Sequence, residues 1–130
     1  QETSARDYFV SRFWYHLITV TLDSSTRDAT MNPTTKLKKG KALGRVTATG
    51  RWMQYDDTGG DGRETARAIL DEEVNLLDSN GAAQNTEAVA SICGYVKSSK
   101  VFGPSSAIDS AGITDLTTGA NGCLFIVRQY

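Results

Sequence analysis

KGKALGRVTATGRWMQYD, residues 39 to 56, is the stretch that decides the fold. Two short runs of strand-forming residues flank Thr49 and Gly50, and glycine readily takes the positive φ that a tight hairpin turn requires. A two-residue turn at this point places Gly44 opposite Tyr55, so that the aromatic ring covers the bare glycine backbone. The stretch therefore predicts a β-hairpin.

Alternation of side chains along a strand predicts two different faces for this hairpin. One face is largely apolar and is expected to pack inward; it carries Gly44, Val46, Ala48, Arg51, Met53 and Tyr55. The other face mixes an aromatic residue with charge and is expected to meet a partner; it carries Leu43, Arg45, Thr47, Trp52 and Gln54. A register shift of one residue would exchange the two faces.

The length of 130 residues is typical of one domain, and the charge is balanced, with 14 basic against 15 acidic residues. This balance disfavours nucleic acid as an obligatory partner. Basic residues dominate positions 36 to 51 and acidic residues dominate positions 56 to 78. These segments are either two solvated edges of one fold or a dipolar surface that pairs with a neighbouring copy or steers docking.

The two cysteines, Cys93 and Cys123, lie within apolar runs and form no closely spaced motif. They are interpreted as small buried hydrophobic residues in a reducing compartment, and a single disulfide bridge stays open as the alternative. No apolar run approaches the roughly 20 residues that span a bilayer, so no membrane partner is expected.

Residues 1 to 16 are predicted to form an extended arm that precedes a single β-rich domain at residues 17 to 130. The arm is rich in aromatic residues, which disordered tails usually lack, so it is expected to dock onto a surface. That surface is either the core of its own domain or a neighbouring subunit or larger assembly, where aromatic residues with arginine are common anchors. The candidate anchors are Tyr8, Phe9, Arg12, Phe13, Trp14 and Tyr15.

No catalytic constellation is recognisable. His16 is the single histidine, no G-x-S-x-G nucleophile elbow occurs, and one histidine with two distant cysteines does not suit zinc. No catalytic residue, metal or cofactor is therefore predicted. The alternative function left open is a small β-barrel binding module for oligosaccharide or single-stranded nucleic acid, which would use Arg45, Trp52 and Tyr55 as a stacking surface.

Strands are expected at residues 17 to 22, 88 to 96 and 123 to 127 because these runs are apolar and rich in β-branched residues. Residues 26 to 40 and 59 to 62 are expected to be loops. Residues 105 to 119 have low helix propensity, and one turn of helix is expected near residues 105 to 110. Residues 63 to 77 have helical spacing of apolar side chains and good helix formers, so local propensity alone favours a helix.

Five pieces of sequence carry a family resemblance: KGKALGRVT at 39 to 47, GRWMQYD at 50 to 56, DG at 61 to 62, AILDEEV at 68 to 74 and AVASICGYV at 88 to 96. Their order and spacing resemble the lambda-type head decoration proteins of tailed bacteriophages, which stabilise capsids. The resemblance covers about residues 17 to 97. It implies a strand at 65 to 70 and a turn through 71 to 73, and so favours strand over helix for residues 63 to 77.

The resemblance implies a mainly β fold, a small tulip-like barrel or sandwich with little helix. It also implies a homotrimer on the outer surface of an icosahedral head, made in the host cytoplasm, which binds the major capsid protein at local three-fold positions. Such proteins hold the expanded shell together against internal DNA pressure, and they are not enzymes and need no cofactor. On this basis Arg45, Trp52 and Gln54 are candidates for the trimer contact. The aromatic arm and the poor helix at 105 to 119 depart from the family pattern, which has a clear short helix before the last strand.

Overall fold

A computed structural model describes residues 9–104, 107–118 and 125–128 of the chain. For residues 9–16, Tyr95, Thr118 and residues 125–128, the description covers the backbone alone. All structural statements below concern these residues.

The described chain is mainly strand with one short helix, as the sequence and the family resemblance predicted. In chain order, the elements are β1 Phe9–Leu22, β2 Lys36–Leu37, β3 Ala42–Arg45, β4 Trp52–Gln54, β5 Ala68–Leu70, β6 Val74–Asn75, β7 Thr86–Lys97, α1 Ser110–Thr118 and β8 Phe125–Arg128. A single 3-10 turn, Ser98–Lys100, follows β7 directly.

Five of the strands form a closed barrel. The main sheet has the order β1-β4-β3-β5-β7-β8, and the additional pairing of β1 with β7 closes the ring. The ladders between neighbouring barrel strands are antiparallel except for the parallel contact of β1 with β4, where Leu22 lies beside Trp52. Strands β2 and β6 form a separate antiparallel pair. The prediction of a small β-barrel is therefore confirmed.

The predicted hairpin is present, but its register is shifted. Gly50 takes a positive φ of 73°, as expected. However, β3 and β4 pair Gly44 with Met53, which is two residues from the predicted partner Tyr55. The predicted turn was the two residues Thr49 and Gly50. The observed turn is longer, and it is closed by a hydrogen bond from the Gly50 N–H to the Val46 carbonyl at 2.8 Å. A Thr-Gly dipeptide permits several turn lengths, so the sequence did not fix this register.

Gly44 is covered by backbone, and the predicted Tyr55 ring does not face it. A Cβ atom at Gly44 would lie 2.5 Å from the Cα of Arg63, a distance at which real atoms clash. The loop that follows β4 therefore crosses directly over β3 at this point. Glycine is required because no side chain fits between the two backbones.

Both faces of the sheet are buried, which corrects the prediction that one face meets a partner. The helix face is lined by Ala42, Tyr55, Ala66, Ile69 and Val96, and it is covered by Val101, Ile108 and the α1 residues Ile113 and Leu116. The loop face is lined by Val20, Leu22, Leu43, Trp52, Ala68, Leu70, Ala88 and Ala90, and it is covered by Leu37 of β2 with Val74 and Leu76 at β6. Leu43 and Trp52, which were predicted to point outward, belong to this second cluster.

Residues 63–77 contain no helix, so the helical interpretation of this segment is wrong, and the strand that the resemblance implied at 65 to 70 is limited to Ala68–Leu70. They contribute β5, then a turn at Glu72, then β6. Ala68, Ile69 and Leu70 are each fully buried, although successive side chains of a strand point to opposite faces. A solvent-exposed amphipathic helix would leave part of this apolar surface in water, whereas a strand between two covered faces buries all of it.

The short helix α1 corrects the expectation of a poor helix after residue 105. Its sequence, SAGITDLTT, contains a glycine and three threonines, which lowers its intrinsic helix propensity. Packing and capping overcome that preference. Leu116 is 2% exposed, and the Asp109 carboxylate accepts a hydrogen bond from the Gly112 N–H at 2.8 Å, which is a helix N-cap contact.

The strands predicted at 17 to 22 and 88 to 96 are confirmed within β1 and β7. The predicted closing strand at 123 to 127 overlaps β8, and Cys123 and Leu124 lie outside the described residues. Cys93 is 2% exposed, as predicted, and it is disulfide-bonded, so the alternative of a bridge holds and the interpretation of Cys93 as a reduced cysteine is wrong. Residues 26–40 are loop apart from β2.

Candidate binding surface

The three candidates for a subunit contact lie close together, but only one is on the surface. Arg45 and Trp52 are direct neighbours across the β3–β4 ladder, and Gln54 pairs with Leu43. Arg45 is exposed, whereas Trp52 is 8% exposed and packs in the loop-face cluster. Gln54 is half-buried, and its N–H donates to the Thr26 hydroxyl at 3.0 Å. The structure therefore leaves Arg45 as the available contact residue.

The stacking surface predicted for a ligand-binding barrel is not formed. Tyr55 is fully buried in the helix-face cluster and Trp52 is buried in the loop-face cluster. The two rings thus belong to the clusters on opposite faces of the sheet and are shielded from solvent. A nucleic-acid base or a sugar ring needs an accessible aromatic face, and neither ring offers one.

Part of the predicted arm belongs to the barrel. The backbone of residues 9–16 continues into residues 17–22 as one strand, β1, which pairs with β7 from Phe9 opposite Val96 onward. The boundary predicted between residues 16 and 17 therefore falls inside a strand. Tyr8 lies outside the described residues, as do the side chains of the other candidate anchors: Phe9, Arg12, Phe13, Trp14 and Tyr15.

The loop that connects β3 to β4 has a fixed shape. Val46 N–H donates to the Arg51 carbonyl at 2.8 Å, and Thr47 N–H donates to the Asp61 carbonyl at 2.8 Å. The second bond ties this loop to the next one along the chain. Gly62 has a φ of 117°, and a Cβ atom there would lie 2.3 Å from the Arg45 carbonyl oxygen. The two loops are therefore in direct backbone contact, which limits movement of either one.

Arg45 is held across this loop without a carboxylate partner among the described residues. Its Nε–H donates to the Gly50 carbonyl at 3.4 Å, and Nη2 would lie 3.2 Å from a Cβ atom on Gly50. Other cations of the basic segment face a carboxylate: Lys36 with Glu73 at 3.9 Å, Lys41 with Asp28 at 2.9 Å, and Arg51 with Asp23 at 3.3 Å. Arg45 is therefore an exposed cation whose guanidinium lies over Gly50.

Among the described residues, an ion pair joins the basic segment to the acidic one, and other basic side chains bind elsewhere in the chain. Lys36 of the basic segment meets Glu73 of the acidic one. Lys38 instead lies over the Phe102 ring, with Nζ 4.0 Å from the ring centroid, which is a cation–π contact.

A buried ion pair attaches the loop before β3 to the loop face. Lys41 and Asp28 both have fully buried side chains, and Nζ donates to Oδ1 at 2.9 Å and to the Gly103 carbonyl at 2.9 Å. The Asp28 carboxylate also accepts bonds from the Thr30 N–H at 3.0 Å and from the Lys38 N–H at 3.3 Å. Burial opposes ionisation of Asp28, but the Thr30 hydroxyl and Lys41 hold its pKa below the ordinary value.

Two carboxylates attach α1 to the helix face. The Tyr55 hydroxyl donates to Asp109 Oδ1 at 2.8 Å, and this same oxygen caps the helix through Gly112. The Ala66 N–H donates to Asp115 Oδ2 at 3.0 Å. Burial, followed by the hydrogen bond to Asp109, raises the pKa of the Tyr55 hydroxyl. The hydroxyl therefore remains a donor at neutral pH.

These contacts between polar side chains were not predicted from the sequence. Asp28 and Lys41 are separated by 13 residues, and Tyr55 and Asp109 by 54, so no local pattern relates them. A signal did exist for Asp109, since aspartate directly before a helical segment is a preferred N-cap. The low helix propensity of the residues that follow makes this signal weak on its own.

Within the described ranges, nothing indicates a small-molecule site. The structure shows no pocket there, and no group of histidine, cysteine, aspartate or glutamate side chains could hold a metal ion. The one α-helix described, α1, is too short to cross a membrane. The features that can bind a partner are therefore surface features, of which the Arg45 loop is the best defined.

Comparison with known proteins gives no identification: no family model matches the chain, and no curated protein has a matching sequence.

Proposed function

We propose that this chain is a capsid decoration protein of a tailed bacteriophage. It binds the outer surface of the expanded head as a homotrimer at local three-fold positions. There it contacts the major capsid protein and holds neighbouring subunits together against the pressure of the packaged DNA. The proposal includes no catalytic activity, no cofactor and no nucleic-acid or membrane partner.

The observation that carries this proposal is the conformation of residues 63–77. Their local propensity favours a helix, and the resemblance to decoration proteins required a strand followed by a turn. The chain forms β5 and then β6 there. Agreement at a position where the residues alone argue the other way supports the resemblance more strongly than agreement at an obvious strand would.

The helix α1 adds independent support. The sequence of residues 105 to 119 departs from the family pattern, because it is a poor helix where decoration proteins have a clear one before the last strand. In the structure, Ser110–Thr118 is helical and precedes β8. Burial of Trp52 and Tyr55 also weighs against the alternative of a barrel that binds oligosaccharide or single-stranded nucleic acid.

Binding to heads tests the proposal directly. The proposal predicts a major capsid gene beside the gene for this chain. Its product would be assembled into proheads and expanded, and pelleting with the purified chain would measure binding. We expect binding to expanded heads, weaker binding to unexpanded proheads, and greater resistance of decorated heads to heat. A full-length folded chain that fails to pellet with expanded heads would refute the proposal.

A truncation tests the predicted role of the arm separately. Removal of residues 1–8 keeps every described residue of β1, Phe9–Leu22. We expect this variant to keep its unfolding midpoint and to bind expanded heads more weakly. Unchanged binding would exclude residues 1–8, including Tyr8, from the contact and leave the other candidate anchors and the rest of the surface.

A further inference from the structure

Cys93 connects β7 covalently to a later part of the chain. Its side chain is 2% exposed, and its sulfur is disulfide-bonded. The sequence contains one other cysteine, which leaves Cys123 as the partner within this chain. Cys123 comes two residues before β8, and β8 runs parallel to β7 with Phe125 beside Gly94. The bridge therefore ties the chain just before β8 to the barrel strand on which β8 lies.

The loop that this bridge closes contains the cover of the helix face. Four side chains within residues 94–122 cover that face: Val101, Ile108, Ile113 and Leu116. The other four barrel strands, β1, β3, β4 and β5, all precede Cys93 in the sequence. The bridge therefore constrains the cover and leaves the pairing of those four strands without any cross-link.

The cover has few other means of staying closed. Its helix α1 has nine residues, including a glycine and three threonines, and so short a helix is marginal without packing. Strand β8 pairs with β7 through four residues. Asp109 and Asp115 supply the hydrogen bonds from α1 to Tyr55 and Ala66. Without the bridge, only non-covalent contacts such as these would return the chain to β7 after Lys97.

We propose that the Cys93–Cys123 bridge is a redox-dependent lock on the cover of the helix face. The barrel folds without it, and reduction allows α1 and β8 to open. A dithiol reductant transfers two electrons and two protons to the bridge, which leaves a thiol on each cysteine, and the reductant itself becomes a disulfide. The inference concerns the isolated chain, goes beyond the proposed function and does not rest on it.

The compartment then sets the state of the lock. Cytosolic thiols keep most cysteine pairs reduced, whereas an oxidising environment favours the bridge. The chain is therefore expected to have a cover that opens readily while it is in a reducing compartment, and to gain a closed cover when it passes into an oxidising one. The barrel strands are expected to keep the same pairing in both states.

Hydrogen exchange on the full chain tests the lock. The oxidised chain is compared with chain that has been reduced by dithiothreitol in urea and refolded with the reductant present. The reporter for the cover is the amide of Ile113, which donates to the Asp109 carbonyl at 3.0 Å. We expect it to exchange about 100-fold faster after reduction, because closing a loop of about 30 residues restricts the opened chain by a factor of that order. The reporter for the barrel is the amide of Leu70, which donates to the Lys41 carbonyl at 2.9 Å and should keep its rate.

Two variants separate the bridge from other effects of the reductant. Cys123→Ser keeps Cys93 in place but forms no bridge, so it should exchange like the reduced wild type and respond no further to dithiothreitol. Ser99→Ala, at an exposed position in the same loop, should exchange like the oxidised wild type. The proposal is overturned if the amide of Ile113 exchanges equally fast in both redox states, if the amide of Leu70 is accelerated as much as that of Ile113, or if the reduced chain fails to fold.

Discussion

The two faces of the sheet are covered in different ways. On the helix face, the covering element is α1, whose residues do not favour a helix and which is held by the carboxylates of Asp109 and Asp115. On the loop face, the cover is the short β2–β6 pair and the loop before it, which are held by apolar burial and by one fully buried ion pair.

The comparison shows how a covering segment is held in one orientation when its own residues favour its structure only weakly. Apolar contacts favour burial of a segment but do not fix its orientation, whereas a hydrogen bond to a buried group fixes one geometry. The helix face uses exposed or half-buried carboxylates, which are inexpensive to desolvate. The loop face uses a fully buried pair, and removal of either member leaves the other charge buried without its partner. The two faces should therefore differ in how severely the loss of one polar group affects them.

Loss of the buried lysine should have the largest effect. Lys41→Met leaves the Asp28 carboxylate buried without its counter-ion, and we expect a decrease of about 3–5 kcal/mol in the free energy of unfolding, measured with urea. Lys100→Met is the matched control, because Lys100 is exposed, and its effect should stay within about 0.5 kcal/mol.

A second variant shows whether the stranded charge is the cause. Asp28→Leu combined with Lys41→Met removes both charges, and we expect it to be more stable than Lys41→Met alone, since no buried charge remains unpaired. A loss below about 1 kcal/mol for Lys41→Met would mean that water reaches Asp28, and that the loop face is not the dry cover described above.

Crowding at Gly44 should have the next largest effect. Gly44→Ala places a methyl group against the Arg63 backbone, and we expect it to destabilise the chain by about 1–3 kcal/mol. Gly60→Ala is the control: a Cβ atom there has no neighbour within 4 Å, so the change should be neutral or slightly stabilising. Equal unfolding midpoints for the two variants would contradict the close crossing of the two backbones over β3.

Some features of the fold could be predicted from the sequence and others could not. The strand at 88 to 96 and the positive φ of Gly50 followed from residue type, because apolar β-branched runs and glycine have strong local preferences. The strand at 68 to 70 followed only from the family resemblance, since its residues also suit a helix. The pairing of Gly44 with Met53 could not be predicted, because turn length depends on the neighbouring loop at Gly62.

The surface was harder to predict than the fold. Trp52 was expected on the outside because alternation alone does not say that both faces of a sheet are covered. Arg45 was predicted on the outward face from the same alternation and is exposed. Its lack of a carboxylate partner among the described residues is a property of the folded chain, since Asp23, Asp28 and Glu73 meet other cations.

Removal of the helix cap should have a moderate effect. Asp109→Ala removes the acceptor for Gly112 N–H and for the buried Tyr55 hydroxyl, and we expect a loss of about 1–2 kcal/mol. Asp57→Ala, at an exposed position, is the control and should change stability by less than about 0.5 kcal/mol. If Asp109→Ala is as costly as Lys41→Met, the two faces do not differ in the way proposed.

Acidification should change the free energy of unfolding less than the substitutions above, and the change should differ from one carboxylate to another. Hydrogen bonds from Ser25 and contact with Arg51 lower the pKa of Asp23, and bonds from Thr58 lower the pKa of Asp56. A lowered folded-state pKa gives stability that is present above the unfolded value of 3.8 and is lost as the pH falls through the folded value. Unfolding free energies should therefore change little between neutral pH and about pH 5, and fall below about pH 4.

Asparagine substitution isolates one of these contributions. Asp56→Asn keeps an oxygen acceptor for Thr58 but removes the titrating group, so this variant should lose less stability than the wild type between neutral pH and about pH 3. Asp57→Asn, at the adjacent exposed position, serves as the control and should lose as much as the wild type. Identical acid profiles for Asp56→Asn and wild type would show that the Thr58 contacts do not favour the ionised carboxylate. Acid sensitivity would then arise mainly from the buried Asp28 on the loop face, and the contrast between a buried charge and exposed carboxylates would be sharper still.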